Sequence, residues 1–192
     1  MGKDRLAAFS DGVIAIIITI MVLELHVPHG TDAAALTAIA PSFLSYVLSF
    51  VYVGIYWNNH HHLLHTVTRV DGLILWANAH LLFWLSLIPV ATAWMGQNPS
   101  APLPTAIYGV ALLMPAIAYF LLQWAIIRRH GKQSVLAEAL GRDLKGKISP
   151  ILYAAGIALA FVNPRISIAL YVLVAIIWLV PDRRIERIIG RE

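Results

Sequence analysis

The sequence contains no cysteine and very little charge, and both shortages restrict what the chain can be. Without a thiol, disulfide bonds, thiolate metal ligands and a cysteine nucleophile are all excluded. Charged residues make up 12% of the 192 residues, whereas an ordinary soluble domain carries about 25%. Because 59% of the residues are hydrophobic and the mean hydropathy is +0.75, a globule of this composition would precipitate from water. We therefore expect the solvent of most of the chain to be lipid.

Six apolar stretches approach the length of about 20 residues that a helix needs to cross a bilayer. The predicted spans are approximately 6–27, 34–64, 73–95, 104–127, 148–162 and 166–180. The last two are short, and the turn Asn163-Pro164-Arg165 between them leaves a re-entrant hairpin as an alternative to two crossings. No cleavable signal peptide, soluble domain or long linker is apparent. The sequence predicts a single all-α integral membrane domain over residues 1–192.

Basic residues are distributed unevenly among the predicted loops. With six spans, 13 of the 14 lysines and arginines fall on one side of the membrane, and Arg165 falls on the other. Positively charged loops face the cytoplasm, so both termini are predicted to be cytoplasmic. The basic segments 128–147 and 183–191 could bind nucleic acid, but in a membrane protein they are expected to set topology and contact anionic lipid headgroups.

The first span contains polar residues, Ser10 and Asp11, near its cytoplasmic end. An ionisable residue within a span is costly unless it is hydrated or finds a partner. Asp11 could be hydrated, could pair with Arg5, or could accept hydrogen bonds from donors on neighbouring helices at the same depth. The candidate partners for Ser10 and Asp11 are Trp57, His60, His61, His65, Asn78 and His80. We expect a polar cluster that links the first three spans.

An aliphatic face also runs along the first span. At about 100° per residue, Ile16, Thr19, Ile20 and Leu23 project to one side, while Asp11 projects about 140° away from Ile16. Periodicity alone favours a lipid-facing or packing surface over a pore for this face.

Three segments together resemble one family. Arg5-x-x-x-Phe9-Ser10-Asp11-Gly12 resembles the defining motif of the transmembrane protein 175 family of potassium channels. Trp57-x-x-His60-His61 is similar to that family at the end of its second helix, as is Trp76-Ala-Asn78 followed by Leu87-Ile88-Pro89 in its third. The likeness runs through the first half of the chain, and the six-helix layout is similar to the single-repeat prokaryotic members.

The resemblance implies a homotetramer around a central pore lined by the first helix. It places the narrowest layer at Ile16, further apolar layers at Ile20 and Leu23, and the threonine associated with ion preference at Thr19. These four residues form the face found by periodicity, so the pore interpretation replaces the lipid-facing one. The residues implied to form a structural network behind the pore are Arg5, Phe9, Ser10, Asp11, Trp57, His60, His61 and Asn78.

The function implied is a leak-type channel in a prokaryotic inner membrane, moderately selective for potassium over sodium. The family lacks the Thr-Val-Gly-Tyr-Gly carbonyl filter, and so does this chain. We expect potassium as the permeant ion, no cofactor, no bound metal, and no partner beyond other subunits and lipid. His61 and His65, four residues apart, could hold zinc, but a polar cluster with a hydrated helix end is the commoner arrangement.

The alternatives to a channel are a transporter, an enzyme and a scaffold. A proton- or cation-coupled transporter would need a carboxylate at the bilayer midplane, and the predicted spans after the first offer none. An intramembrane enzyme is disfavoured, because no serine is paired with a base and no H-E-x-x-H motif occurs. A membrane scaffold without transport activity stays open, since a hydrophobic pore and a packed helix interface have similar sequences.

Overall fold

The computed structural model describes residues 2–131, 136 and 144–179, and the regular elements in that part of the chain are all helices. In chain order they are α1 (Lys3–Leu23), α2 (Ala33–Ala38), α3 (Ala40–His65), α4 (Gly72–Ser86), α5 (Ile88–Gln97), α6 (Pro102–His130), α7 (Leu144–Leu159) and α8 (Pro164–Leu179). The all-α prediction is confirmed. Lys132, Arg142, the predicted end of the sixth span at residue 180 and the basic cluster 183–191 lie outside the described residues.

Four helical segments of the described chain are long and apolar enough to cross a membrane. They are Lys3–Leu23, Ala40–His65, Gly72–Gln97 and Pro102–His130, with 21, 26, 26 and 29 residues. Helices α7 and α8 have 16 residues each, which gives a length of about 24 Å against a hydrocarbon core of about 30 Å. The count of six crossings therefore stays a prediction.

Two of the predicted spans each consist of two helices that meet near a proline. Pro89 has no N–H to donate to the carbonyl of Leu85. Just before it, the Leu87 N–H donates to Trp84 O, three residues back, at 3.2 Å. The predicted span 73–95 is consequently two helices, α4 and α5, stacked across Leu87. Pro41 likewise cannot donate to the carbonyl of Thr37, and the predicted span 34–64 breaks at Ile39. Helix α6 is unbroken although it contains Pro115.

Helix α1 ends at Leu23, four residues before its predicted end at Val27. Pro28 disfavours helical backbone at the residue before it. The chain turns first, with Leu25 N–H donating to Val22 O at 3.2 Å. The ring Nδ1 of His26 lies 3.1 Å from Glu24 O. The polar residues after Leu23 therefore belong to the connection to α2, not to the helix.

The helices pack around two hydrophobic clusters. Helices α1, α3, α4 and α6 share the first, which includes Ile14, Leu63, Leu81 and Leu122. Helices α3, α5, α6, α7 and α8 share the second, centred on the fully buried Tyr171. Gly109 on α6 and Gly156 on α7 both lie against the Tyr171 ring, with no room for a Cβ atom. Helix α1 packs against α3, α4 and α5 and thus belongs to the first cluster.

Candidate functional site

One face of α1 is packed into the subunit. Its buried residues are Leu6, Ser10, Ile14, Ile17 and Met21, none more than 3% exposed. They recur every three or four positions, which is the spacing of one side of an α-helix. This stripe fixes the side of α1 that faces the rest of the chain.

The opposite face of α1 is uncovered in the single subunit. Ile16 is 58%, Ile20 42% and Leu23 80% exposed, and Thr19 between them is also exposed. The face predicted from periodicity is therefore a continuous aliphatic surface with one hydroxyl. The Thr19 Oγ1 donates its proton to Ile16 O at 2.9 Å, so the oxygen keeps its lone pairs as acceptors.

A buried chain of neutral polar groups joins α1, α4 and α3. Asn78 Nδ2 donates to Ser10 Oγ at 2.9 Å, and Ser10 Oγ donates to Leu6 O at 2.9 Å. Asn78 Oδ1 lies 2.7 Å from His60 Nε2, the ring nitrogen that must carry the proton for this bond. Ser10, His60 and Asn78 are at most 1% exposed. The three side chains satisfy one another and tie α1 to two neighbours.

Asp11 has a different environment from Ser10. Its Oδ1 accepts a hydrogen bond from Trp57 Nε1 at 3.1 Å, and the Trp57 side chain is 47% exposed. Asp11 itself is half-buried, and Arg5 is exposed. Within the described part of the chain Arg5 forms no salt bridge, so the alternative of an Arg5–Asp11 pair is wrong. The indole, not a basic side chain, is the partner of this carboxylate.

Three of the expected partners, all histidines, do not join the polar cluster. His80 accepts from Trp84 Nε1 at 2.9 Å, one turn further along α4, and among the described residues no hydrogen bond joins it to Ser10 or Asp11. His61 pairs with His65, with 3.1 Å between their Nε2 atoms. The His61 ring also lies beside Trp57, with 6.3 Å between centroids. The expectation that these histidines bind Ser10 or Asp11 is therefore wrong. Phe9 is 57% exposed and also lies outside the buried chain.

No group of three or more histidine, aspartate or glutamate side chains converges on a possible metal position among the described residues. The His61–His65 pair thus stands without a third ligand there. Two imidazoles at this distance form a hydrogen bond when one ring donates and the other accepts.

Sequence reasoning missed the polar contacts that hold the connection between α3 and α4. Asp71 caps α4 by accepting from Ile74 N at 3.0 Å, and its other oxygen lies 3.6 Å from Arg129 Nε on α6. His130 Nε2 accepts from the backbone N–H groups of Thr68 and Arg69 at 3.2 and 3.3 Å. Asp71 directly before an apolar helix is a capping signal, but its partners on α6 could be found only from the fold.

These features define a helical integral membrane protein, and comparison with known proteins identifies its class as ion channels. A protein of Chryseobacterium sp. named potassium channel is 59% identical, over 97% of both chains. A potassium channel of Chamaesiphon minutus is 30% identical over 90% of this chain and 91% of its own. The human endosomal/lysosomal proton channel TMEM175 is 31% identical over 70% of this chain, which spans 30% of the human protein.

Family and fold comparisons agree with these relatives. The family model described as endosomal/lysosomal potassium channel TMEM175 matches residues 5–89. The crystal structure of a lysosomal potassium-selective channel TMEM175 homolog from Chamaesiphon minutus superposes with a TM-score of 0.80 and 29% identity. It covers 92% of this chain and 96% of its own. The chain belongs to the TMEM175 family, as its first-helix motif predicted.

Proposed function

We propose that the chain is one subunit of a homotetrameric, potassium-selective leak channel whose central pore is lined by α1. The observation that carries the proposal is the uncovered aliphatic face of α1. Ile16, Ile20 and Leu23 are exposed on a helix whose other side is tightly packed. Relatives covering nearly the whole chain are named potassium channels, so this face is better explained as a pore wall than as lipid-facing surface.

The proposed gate is hydrophobic. Four copies of α1 around an axis would present rings of Ile16, Ile20 and Leu23, with Ile16 forming the narrowest. Ions cannot shed water where nothing replaces it, so such a constriction closes by dewetting. The Thr19 oxygen is the polar atom at this level, and its lone pairs can contact a partly hydrated cation. With no backbone carbonyl filter, preference for potassium over sodium should be moderate.

The polar cluster has a structural role in this proposal. The chain Ser10–Asn78–His60 is buried away from the Ile16 face, and its hydrogen bonds are satisfied within the subunit. It fixes the rotation and depth of α1, so that Ile16 rather than Ile17 points to the axis. The motif residues thus position the pore helix without touching the ion.

Membrane orientation is part of the proposal. The excess of basic residues in alternate loops supports six crossings with both termini in the cytoplasm of a prokaryotic cell. The end of α3 that carries His60 to His65 would then lie on the cytoplasmic side, as would the start of α1.

A coupled transporter finds less support. From Ala40 to Leu179 no described helix contains an acidic residue, and Asp71 lies at the cap of α4. A carrier that moves protons or cations stepwise normally uses a carboxylate within the membrane. A scaffold without transport activity would still need a partner surface for the exposed face of α1, and the same experiment tests that possibility.

The deciding experiment measures ion flux in liposomes containing the purified oligomer, comparing potassium, sodium and proton gradients. The proton gradient is included because the human relative is named a proton channel. Ile16→Asn should increase potassium flux and weaken its preference over sodium, because an amide wets the constriction. Ile176→Asn is the matched control, since Ile176 on α8 is 55% exposed against 58% for Ile16.

The outcomes separate the functions. Equal effects of Ile16→Asn and Ile176→Asn on ion flux would contradict the assignment of Ile16 to the pore wall. Absence of flux from every variant, in vesicles shown to contain folded oligomer, would favour the scaffold. Saturable flux that depends on a second ion and ignores Ile16→Asn would favour the transporter. Cross-linking of the purified protein would test the fourfold assembly separately.

A further inference from the structure

A crevice of about 470 Å³ opens between α3, α6, α7 and α8, away from the exposed face of α1. Aromatic side chains dominate its lining, and they include Tyr56, Tyr119, Phe120, Trp124, Tyr153 and Trp178. The volume lies within the range of about 300–1,000 Å³ that small-molecule sites in proteins occupy. An apolar space of this size at the surface of a membrane bundle is filled by something other than water.

A single amide inside the crevice lacks a protein partner. Gln123 on α6 lines the crevice and is 9% exposed, yet its side chain forms no hydrogen bond with the part of the chain that the structure describes. The neighbouring amide of Asn59 is satisfied, because its Nδ2 donates to Ile55 O at 2.8 Å. The Gln123 amide atoms are not fully enclosed, so they are available to a ligand that carries a hydrogen-bonding group at this depth.

One basic side chain lines the crevice, and a second lies against one of its aromatic walls. Lys147 at the start of α7 lines it and is exposed. The Arg128 guanidinium lies 5.3 Å from the centroid of the Trp124 ring, which also lines the crevice. This cation–π contact holds the charge at the rim. Among the described residues, the crevice thus has an apolar body, one amide without a protein partner, and basic side chains at its mouth.

We propose that this crevice binds one anionic phospholipid per subunit. Its phosphate lies between Lys147 and Arg128, and an acyl chain occupies the aromatic body. The Gln123 N–H groups donate to an ester carbonyl. Gln123 is about 7.5 Å along the helix axis from Arg128, and the ester carbonyls of a phospholipid likewise lie one layer below its phosphate. Basic pockets between membrane helices recognise anionic headgroups in this manner.

The crevice changes from an apolar body, through the Gln123 amide, to basic side chains at its mouth. This sequence of groups matches a phospholipid better than other occupants. A packed helix from α2 to α8 of a second copy would bury Lys147 and Arg128 without an acidic partner, since none of those described helices contains an acidic residue. Helix α1, which carries Asp4 and Asp11, is assigned to the pore in the proposed assembly. A zwitterionic lipid would fill the apolar body equally well, but its headgroup would be attracted less strongly by Lys147 and Arg128. Selectivity for a negative headgroup is therefore the property to measure.

The test uses the oligomer in nanodiscs and phospholipids with brominated acyl chains, which quench tryptophan fluorescence on contact. Brominated phosphatidylglycerol should quench more strongly than brominated phosphatidylcholine. The difference should disappear when Trp124 and Trp178 are both replaced by phenylalanine. Lys147→Gln should weaken the preference about fivefold, as expected for one basic residue near an anionic headgroup. Arg165→Gln, which removes an exposed charge at the start of α8, is the matched control and should leave the preference unchanged.

Two further comparisons locate the lipid within the crevice. Ala116→Phe fills the apolar body and should reduce quenching by both lipids. Ala154→Phe, on an exposed position of α7 outside the lining, should not. An ether-linked phosphatidylglycerol lacks ester carbonyls and should bind about fivefold more weakly to the natural protein. With Gln123→Leu, the ester and ether lipids should bind equally.

The proposal fails if the two brominated lipids quench equally, or if Ala116→Phe leaves binding unchanged. It also fails if neither lipid quenches Trp124 or Trp178, because another part of the assembly would then cover the crevice. Binding of the ester lipid that is insensitive to Gln123→Leu would contradict the assigned pose.

Discussion

The two faces of α1 are made of similar side chains in very different surroundings. Ile17 is 3% exposed and Ile16 is 58% exposed, although they are adjacent in an aliphatic run. Composition therefore does not distinguish a packed isoleucine from one available to a pore. The difference comes from the rotation of the helix, which the hydrogen bonds of Ser10 hold in place.

The same substitution on the two faces should give the largest contrast. Ile17→Asn should destabilise the subunit by about 3 kcal/mol, because the amide has no partner in the packed interior. Lipid is as apolar as isoleucine, so lost packing and the unpaired amide, not transfer from water, provide the cost. Ile16→Asn should leave stability nearly unchanged. Thermal denaturation followed by size-exclusion chromatography measures both, and equal losses would mean that Ile16 is also a packed residue.

Breaking the buried polar chain should have a smaller effect. Asn78→Ala removes the partner of both Ser10 and His60 and should cost about 2 kcal/mol, since hydrogen bonds between membrane helices are modest individually. Asn98→Ala is the control, because Asn98 is exposed and its side-chain amide donates to Trp94 O within its own helix end. Because Asn78 also fixes the rotation of α1, its variant should show altered potassium preference in the oligomer that survives. An unaltered potassium preference would show that the polar cluster does not determine the geometry of the pore.

The half-exposed pair Asp11–Trp57 should show the smallest effect. Asp11→Ala and Trp57→Phe each remove one hydrogen bond that is partly open to its surroundings, and each should cost about 1 kcal/mol. A double-mutant cycle isolates the interaction, and the pair should be less than additive by about 0.5 kcal/mol. Full additivity would show that the 3.1 Å contact contributes nothing to stability.

Much of this arrangement could be predicted from the sequence. Long apolar runs gave the helices, and a period of 3.6 residues assigned Ile16, Thr19, Ile20 and Leu23 to one side. Asn78 and His60 were expected near Ser10 because residues at equal depth on neighbouring helices can meet. The first-helix motif identified the family, which sequence comparison confirmed.

The errors share a physical cause. Apolar length does not show where a proline interrupts backbone hydrogen bonding, so the break at Ile39 was missed. Depth alone does not show which way a side chain points, so His80 was assigned to Ser10 and Asp11 although it bonds to Trp84. The crevice around Gln123 depends on four helices that are distant in sequence, and no local pattern indicates it.

The anchoring of α1 has a consequence for how its sequence can vary in length. Each inserted residue rotates everything beyond it by about 100°. In the proposed assembly, one extra residue between Ser10 and Ile16 would turn the aliphatic layers away from the pore axis while the hydrogen bonds of Ser10 stayed in place. Adding four residues rotates the far end by only about 40°, but shifts the layers by about 6 Å. The number of residues between Ser10 and the proposed constriction at Ile16 is therefore fixed. Insertion and deletion scanning should show that this segment tolerates substitutions far better than changes in length.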